Sequence, residues 1–382
     1  MEEELLLIPG PTNLSPRVRA VMGAPQVGHS SPKFYDAFKE LLELTADVFM
    51  GKHGLAFVIS GSGTCAMESV VASLIEPGDK VMVLDTGAFG QRFALINQAL
   101  GADVEVLPSK LGSPSDPKIL NEKLSSEPYK AVFVTHVDTS STVSNPVIAL
   151  SKIIKNNGAL CIIDGVCSIG GSPFNFEELG IDVGITASQK ALGAPPGAAL
   201  IFLADNALTI LENRKSPIRS YYFDLTRWRK VMEDPRVYLA TPATQIMLAL
   251  REALLMVKEE GLEKRWKRHR IISEAFRTGI KALGMQIVAE PGFEADTVTG
   301  CYTPNGLAAK IQSRLTLDYN ILVAMGFGPE RDHMLRIGHF GNLNGTQTLS
   351  ALSALEATLK SLEIKVERDA LAEATTILAK LS

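Results

Sequence analysis

Cysteines are few in this sequence, and none is paired at a spacing typical of a metal site or a redox couple. The four are Cys65, Cys161, Cys167 and Cys301, and no C-x-x-C motif occurs. A zinc site or a catalytic dithiol is therefore not expected, and reduced cysteines are typical of a cytoplasmic protein. We predict a cytoplasmic protein without a metal site.

Long apolar runs and an excess of one charge are missing as well. No run approaches the roughly 20 residues needed to cross a bilayer, and Met1-Glu-Glu-Glu-Leu5 lacks the basic start of a secretory signal. The 38 lysines and arginines are nearly balanced by 42 aspartates and glutamates, which gives a net charge of −4. This balance predicts neither nucleic acid nor a membrane as a partner.

The chain of 382 residues is long enough for about two domains. Apolar strands alternate with helix-spaced segments, which predicts a largely parallel sheet covered by helices on both faces. The predicted strands are Ala56–Ile59, Lys80–Leu84, Val104–Leu107, Ala131–Thr135, Leu160–Ile163, Asp182–Ile185 and Ala198–Leu203. Residues 1–25 are rich in proline and glycine and predict irregular structure. We predict an N-terminal arm (1–20), a large domain (21–255) and a smaller α+β domain (256–382).

Lys190 lies in a loop between two of these core strands. Its neighbours in Thr186-Ala-Ser-Gln-Lys-Ala-Leu-Gly-Ala-Pro-Pro-Gly197 offer no polar face to a surface charge. A partly desolvated lysine of this kind is a candidate for covalent attachment to a carbonyl group. A solvated loop lysine is the common alternative.

The turn Ser60-Gly-Ser-Gly-Thr64 ends one predicted strand and opens a helix. Backbone N–H groups at such a helix N-terminus form a binding site for a phosphate. The same turn also fits a dinucleotide fingerprint through Gly61, Gly63 and Ala66, with Asp85 at the end of the next strand. A plain strand-to-helix turn is the third interpretation.

Two charged side chains lie in apolar segments. Asp164 ends a hydrophobic strand, so its carboxylate needs a cation such as a pyridinium nitrogen, unless it caps a turn. Arg336, in the apolar run Met334–Gly338, suits a bidentate carboxylate, unless it pairs with an internal Asp or Glu. Ligands bind at the carboxyl ends of strands in open α/β sheets, so we expect Asp164, Lys190 and the Ser62–Thr64 turn to share one site.

The order of these motifs resembles the class V pyridoxal-phosphate aminotransferases, specifically the alanine–glyoxylate, serine–glyoxylate and serine–pyruvate group. The motifs are Pro9-Gly-Pro11, Ser60-Gly-Ser-Gly-Thr64, Thr135-His136, Asp164-Gly-Val166, Ser188-Gln-Lys-Ala-Leu192, Ala194-Pro-Pro-Gly197, Thr241-Pro242 and Leu335-Arg-Ile-Gly338. The resemblance implies fold type I, with a large α/β domain built on a mostly parallel seven-stranded sheet and a smaller α+β C-terminal domain. It also implies a homodimer with its sites at the subunit boundary.

The resemblance further implies a role for each matched residue. Lys190 would hold pyridoxal 5′-phosphate covalently and transfer protons, and Asp164 would pair with the pyridine nitrogen. The residues implied to bind the phosphate are Ser62, Gly63, Thr64 and Gln189, with Tyr238 and Thr241 reaching the phosphate held by the other subunit. Those implied to contact the ring are Val166, Phe89 and, near the ring oxygen, Ser140. Those implied to bind the substrate are Arg336 and Gly10.

Phe89 occupies the ring-stacking position that is often Trp in close relatives and that is His in the related desulfurases, which argues against desulfurase chemistry. Only one matched arginine is placed for a carboxylate, which favours a small monocarboxylic donor. We therefore expect alanine or serine as amino donor and glyoxylate or pyruvate as acceptor. Two alternatives remain: an NAD-dependent oxidoreductase that uses the Gly61-x-Gly63-x-x-Ala66 turn, and a non-catalytic dimeric scaffold of the same fold.

Overall fold

A computed structural model describes residues 3–381 of the chain. Its strands are β1 (Leu5–Leu7), β2 (Gly54–Ser60), β3 (Lys80–Asp85), β4 (Asp103–Pro108), β5 (Ala131–Thr135), β6 (Val137–Asp138), β7 (Val143–Ser144), β8 (Leu160–Asp164), β9 (Val183–Ala187), β10 (Ala198–Ala204), β11 (Val298–Tyr302), β12 (Ile321–Met325) and β13 (Met334–Gly338). Its helices are α1 (Pro16–Met22), α2 (Pro32–Phe49), α3 (Gly63–Leu74), α4 (Ala88–Ala99), α5 (Pro117–Ser126), α6 (Val147–Asn156), α7 (Phe176–Leu179), α8 (Asp205–Glu212), α9 (Leu225–Glu233), α10 (Thr244–Glu260), α11 (Leu262–Ala282), α12 (Ala308–Tyr319), α13 (Gly345–Ser361) and α14 (Ala370–Leu378).

The larger sheet has seven strands in the order β2-β10-β9-β8-β5-β3-β4. From β4 to β9 each strand runs parallel to its neighbour, whereas β10 is antiparallel to both β9 and β2. Every residue of β5, β8 and β9 is buried, as expected for central parallel strands covered on both faces. The predicted mostly parallel α/β sheet is confirmed.

The helices that cover this sheet follow the apolar spacing of the sequence. Helix α2 buries Phe34, Phe38 and Leu41 along one face. Ser31 caps its first turn by accepting a hydrogen bond from the Phe34 N–H. The sequence pattern predicts helices over Phe89–Leu100 and Val147–Asn157, and α4 and α6 lie within one residue of these limits. This arrangement places the Ser62 turn and the Lys190 loop after the carboxyl ends of β2 and β9.

The smaller sheet has the order β1-β12-β13-β11 and packs on a second hydrophobic core that includes Phe276, Leu335 and Leu352. Its first strand corrects one expectation, because residues 1–25 were predicted to be irregular. Leu5–Leu7 form β1 by pairing in parallel with a strand more than 300 residues later, and Leu5 lies opposite Ile321. No pattern in the neighbouring sequence predicts this pairing.

Helix α1 also lies in the arm that was predicted to be irregular. In this case a local sequence pattern indicates the helix. The helix begins at Pro16, and the hydroxyl of Ser15 accepts a hydrogen bond from the Val18 N–H. Serine at the N-cap followed by proline in the first turn is a typical helix start. The arm therefore reaches both sheets: β1 extends the small one, and α1 packs on the core of the large one through Val18.

Helices α10 and α11 join the two cores. Leu250 and Val257 of α10 belong to the core of the large sheet, whereas Ile272 and Phe276 of α11 belong to the core of the small sheet. Gly261, with φ +80°, separates the two helices. The exact domain limits at residues 20 and 255 stay a prediction. None of the helices within residues 3–381 combines the length and the apolar character needed to cross a bilayer.

Candidate active site

The loop between β9 and β10 carries Lys190 and is held by its own hydrogen bonds. The Ser188 hydroxyl donates to the Pro195 carbonyl (2.5 Å) and accepts from the Ala198 N–H (3.2 Å). The Gly193 N–H donates to the Lys190 carbonyl at 3.0 Å. The small residues and the Pro-Pro-Gly turn of this loop thus fix the backbone from which the Lys190 side chain extends.

The Lys190 ammonium is half-buried and lies under the N-terminal segment. It donates a hydrogen bond to the Pro9 carbonyl, and its Nζ lies 5.7 Å from the centre of the Phe340 ring. A Cβ on Gly10 would lie 2.5 Å from Lys190 Cδ, so a glycine is required there. Desolvation is the main cause that lowers the pKa of Lys190, and the nearby positive charge of Arg336 lowers it further. A lowered pKa increases the share of neutral amine, the nucleophilic and basic form.

Asp164 is the last residue of β8 and is 3 % exposed. Its Oδ1 accepts a hydrogen bond from the Val166 N–H at 2.8 Å. Burial raises the pKa of Asp164 to about 7, and the charge of Asp138 raises it too, whereas the Val166 N–H and the charge of Lys190 lower it. A buried carboxylate with this pKa gains from a cation placed against it.

The N-terminus of α3 faces the same region. Ser62 is its N-cap residue, and within residues 3–381 its hydroxyl forms no capping hydrogen bond. The first N–H groups of the helix therefore remain for an anion. A Cβ on Gly63 would lie 3.1 Å from Val166 Cγ2, so glycine lets Val166 pack against this turn. Gln189 Oε1 is buried and has no hydrogen-bond partner in the described chain.

Arg92, which was not predicted from the sequence as a site residue, contacts both Thr64 and Phe89. Its Nη1 donates to Thr64 Oγ1 at 3.0 Å, and its guanidinium carbon lies 4.6 Å from the centre of the Phe89 ring. The sequence spacing could have identified Arg92, because it follows Phe89 by three residues and residues so spaced share a helix face. Arg92 supports the half-buried Phe89 ring through a cation–π contact.

Asp138 is a second residue of this region that was not predicted from the sequence. It is fully buried and accepts hydrogen bonds from the Ser140 hydroxyl (2.6 Å) and the Phe89 N–H (3.0 Å). Ser140 in turn accepts a hydrogen bond from the Ala88 N–H at 2.8 Å. The signal here was the same as for Asp164, an acid just beyond the end of a hydrophobic strand.

Arg336 lies in β13 and is 8 % exposed. Its Nε donates to the Met325 carbonyl (2.7 Å) and its Nη1 to the Thr139 carbonyl (2.8 Å), and Phe327 covers the guanidinium at 4.6 Å. Burial lowers the pKa of Arg336 to about 10. No carboxylate within residues 3–381 forms an ion pair with it, so the internal ion pair considered from the sequence is absent there. Of the five guanidinium hydrogens, three remain for an external carboxylate.

Tyr238 and Thr241 are the predicted site residues that the structure does not bring into this buried group. Tyr238 is 65 % exposed, and its hydroxyl lies 3.0 Å from Thr241 Oγ1. Its ring lies 5.6 Å from that of His29. Both residues therefore lie on the surface of the described chain.

Fold and site together define a protein that belongs to the aminotransferase class-V family, whose family model matches residues 17–329. An alanine–glyoxylate aminotransferase from Oryctolagus cuniculus is 34 % identical over 342 residues, covering 88 % of this chain and 87 % of the relative. A serine–glyoxylate aminotransferase from Methylorubrum extorquens is 35 % identical over 372 residues, covering 94 % and 92 %. The crystal structure of the ureidoglycine–glyoxylate aminotransferase from Bacillus subtilis matches with a TM-score of 0.96 and 32 % identity, covering 99 % of each chain.

The family uses pyridoxal 5′-phosphate, and the residues present fit that cofactor. The N-terminus of α3, which no side chain caps within residues 3–381, and the buried Gln189 amide fit a phosphate group. The buried Asp164 fits a protonated ring nitrogen. Lys190, whose charge acts on Asp164, fits an aldehyde. The predictions of fold type I, transaminase class and cofactor are confirmed.

The oxidoreductase alternative finds no support in this geometry. A dinucleotide turn lies between strands that run parallel to each other. Here the Gly61-x-Gly63 turn follows β2, which is an edge strand of the sheet and pairs with the antiparallel β10. Asp85 accepts a hydrogen bond from the Gly87 N–H in its own turn at 3.0 Å.

Proposed function

We propose that this enzyme transfers the amino group of a small amino acid, alanine or serine, to a small 2-oxo acid, glyoxylate or pyruvate. The observation that carries the proposal is the grouping of Lys190, Asp164 and one carboxylate-binding cation, Arg336. The charges of Asp164 and Arg336 both act on the Lys190 amine. The named relatives transfer amino groups to glyoxylate, which supports the same acceptor here.

Each residue has a defined task in this proposal. When bound, pyridoxal 5′-phosphate supplies an aldehyde that takes up amino groups and a ring that withdraws electrons from the substrate α-carbon. The N–H groups of Gly63 and Thr64, the Ser62 hydroxyl and the Gln189 amide would hold the phosphate. Val166 and Phe89 would pack on the ring, and the Ser140 oxygen would lie beside the ring oxygen.

Lys190 would carry the proton transfer. Its neutral Nζ would accept the proton from the α-carbon of the bound amino acid, and the resulting ammonium would give it back at the carbon on the other side of the amino nitrogen. Desolvation favours the neutral amine that this step needs. Asp164 would hold a proton on the ring nitrogen, since a cation placed against its buried carboxylate stabilises the charged form.

Arg336 and Gly10 would orient the substrate. Arg336 binds the α-carboxylate through the guanidinium hydrogens that the Met325 and Thr139 carbonyls leave free. Gly10 lets the N-terminal segment lie directly against the Lys190 side chain, where a Cβ would clash. Because Arg336 is the cation assigned to the carboxylate, a donor with one carboxylate is favoured over a dicarboxylic one.

A donor panel tests this function. Alanine, serine, ureidoglycine, aspartate and glutamate are each assayed with glyoxylate and with pyruvate, by measuring the 2-oxo acid formed. We expect the highest kcat/KM for alanine or serine with glyoxylate. Highest kcat/KM for aspartate or glutamate would contradict the proposal, because a second carboxylate requires a second cation.

Replacing Arg336 with lysine should raise KM for both the amino donor and the 2-oxo acid by about 10- to 100-fold. A lost charge-assisted hydrogen bond costs roughly 1.5–3 kcal/mol, and a point charge cannot replace a planar fork. Arg229→Lys is the matched control, since Arg229 forms exposed ion pairs with Glu212 and Glu233. Steady-state kinetics with KM unchanged for both substrates would refute the assignment.

We also propose that the enzyme is a homodimer in which Tyr238 and Thr241 bind the phosphate in the partner's site. Their exposure and mutual hydrogen bond support this. In a hybrid of Lys190→Ala with Tyr238→Phe/Thr241→Ala, one site then carries all the lesions and the other carries none. Co-refolding the two inactive parents should recover activity, approaching one working site per hybrid dimer. Hybrids confirmed by mass spectrometry that stay inactive would exclude the shared site.

The cytoplasmic location remains a prediction. It is supported by the four cysteines, which are buried and unpaired in the structure and match a reducing compartment. Fractionation of the source cells, with antibody detection of the protein, tests it.

A further inference from the structure

The loop between β6 and β7, residues 139–142 with Asp138 at its start, contacts both halves of the proposed active site. We propose that Asp138 is a positioning residue that fixes the Phe89 ring on the cofactor side and the Arg336 guanidinium on the carboxylate side. The inference rests on the proposed function, because that function gives Phe89 and Arg336 their tasks. Asp138 itself touches neither substrate nor cofactor in this proposal.

The first contact of Asp138 is with the start of helix α4. The N-cap residue of this helix is Gly87, which has no side chain to satisfy the first N–H groups. Asp138 Oδ2 takes that place from 49 residues away along the chain, accepting from the Phe89 N–H at 3.0 Å and, more weakly, from the Gly90 N–H at 3.5 Å. The negative charge also suits the positive end of the helix dipole. Asp138 thus holds the backbone from which the Phe89 ring extends.

The other carboxylate oxygen of Asp138 holds Ser140. Oδ1 accepts from the Ser140 N–H (2.8 Å) and the Ser140 hydroxyl (2.6 Å). The same hydroxyl oxygen accepts from the Ala88 N–H (2.8 Å). A Cβ on Gly87 would lie 2.3 Å from Ser140 Oγ and 2.7 Å from Asp138 Oδ1, so the loop packs directly on the start of the helix.

Both Asp138 oxygens serve as acceptors, which explains why a carboxylate is required. An asparagine would replace one oxygen with an NH₂ group, and that group would face N–H or O–H donors in either orientation. Asp138 is 0 % exposed, so the donors left unpaired could not turn to water. The amide variant keeps the volume of the side chain and removes the function that we assign to it.

The second contact of the loop is with Arg336. The Thr139 carbonyl, one residue beyond Asp138, accepts from Arg336 Nη1 at 2.8 Å. The loop is closed by the Thr142 N–H, which donates to the Asp138 carbonyl at 2.7 Å. Thr142 has φ +61°, a conformation that is unfavourable for a β-branched residue and that persists when its surroundings impose it. A shift of Asp138 therefore moves the Thr139 carbonyl and changes the direction of the Arg336 guanidinium.

The test compares Asp138→Asn with Asp182→Asn in the purified holoenzyme. Asp182 is the matched control because its carboxylate also accepts a backbone N–H, that of Cys161 at 2.8 Å, outside the loop and the site. For Asp138→Asn we expect KM for both substrates to rise and kcat to fall, each by about tenfold or more, since a misplacement near 1 Å can cost about 10²-fold. The visible circular dichroism of the bound cofactor should change as well, because Phe89 moves. Asp182→Asn should change only the melting temperature.

Two further variants keep the test decisive if Asp138→Asn does not fold. Asp138→Glu keeps both acceptor oxygens and should fold and retain measurable turnover. Ser140→Ala removes the hydroxyl bonds to Asp138 and Ala88 and should change kcat, KM and the visible spectrum in the same direction by less. Its control is Ser73→Ala, because Ser73 Oγ accepts the N–H of Leu225 at the start of α9, outside the site.

The outcomes distinguish a failure of the Asp138 inference from a failure of the proposed function. Asp138 and Ser140 variants that lose stability while kcat, KM and the cofactor spectrum of the folded holoenzyme stay unchanged would show a merely structural cap and overturn the inference alone. A wild-type enzyme that transaminates no donor of the panel would overturn the proposed function, and the inference with it. Changes confined to the Asp138 and Ser140 variants support the inference.

Discussion

Replacing Lys190 with alanine is expected to abolish turnover and to remove the covalent attachment of the cofactor. The reason is that this amine is assigned both the bond to the cofactor aldehyde and the proton transfer at the substrate α-carbon. Its burial and the nearby charge of Arg336 favour the neutral form that both tasks need. Borohydride reduction followed by peptide mapping should place the cofactor mass on the peptide that contains residue 190 in the wild type and on no peptide in the variant.

Lys258→Ala is the matched control for this experiment. Lys258 is exposed and forms an ion pair with Asp47 on the surface (2.9 Å), so its loss should leave turnover and labelling unchanged. Borohydride labelling that persists at another lysine of Lys190→Ala would contradict the assignment. A folded Lys190→Ala variant with measurable turnover would contradict the proton-transfer task.

The residues predicted from the sequence share one physical property. Lys190 and Asp164 each stand as a single charged group beside a strand of apolar residues, so the cost of burying the charge requires a partner and marks a site. The strands themselves were visible because parallel central strands are apolar along their whole length. Charge in apolar surroundings is a local pattern, and local patterns can be predicted from one sequence.

The parts that escaped prediction depend on contacts between distant segments. Strand β1 forms because Leu5 pairs with Ile321, and nothing near Leu5 reports that partner. Asp138 acquires its importance from the Phe89 N–H, 49 residues earlier, and Thr139 from Arg336, 197 residues later. Asp138 follows an apolar strand and could have been noticed for that reason, but hydrogen bonds between distant segments have no sequence period. Its partners are therefore visible only in the structure.

One departure from close relatives, Phe89 at a position that is often tryptophan, can be explained by the contact of Phe89 with Arg92. Phe89 is smaller than the tryptophan often found at its position, and the Arg92 guanidinium stacks on its ring at 4.6 Å. The cation adds a favourable contact to one face of the ring and limits its rotation. The Arg92 contact thus helps to hold the smaller Phe89 ring in place.

In the cofactor-free protein, replacing Asp164 with asparagine is expected to change how stability depends on pH. Burial raises the pKa of Asp164 to about 7 in the folded state, whereas an unfolded aspartate has a pKa of about 3.9. Between these values the unfolded chain has lost the proton that the folded chain still holds, so stability falls as pH rises from about 4 to 7. Urea unfolding of the two cofactor-free proteins should show the wild type losing stability relative to Asp164→Asn over this range. An equal pH dependence of both proteins would contradict a buried, unpaired carboxylate.

The same variant in the holoenzyme should lower kcat by about 10²–10³-fold, the usual cost of removing one preorganised electrostatic group from an active site. Asparagine keeps the shape of Asp164 and an oxygen to accept the Val166 N–H, so the cofactor should still bind. The charge that would hold a proton on the ring nitrogen is lost, so the bound ring would withdraw electrons less effectively from the substrate α-carbon. Single-turnover absorbance changes with alanine measure this step directly, without product release. Near-normal kcat at full cofactor occupancy would exclude the role of Asp164, whereas poor occupancy would show that the carboxylate acts mainly in binding.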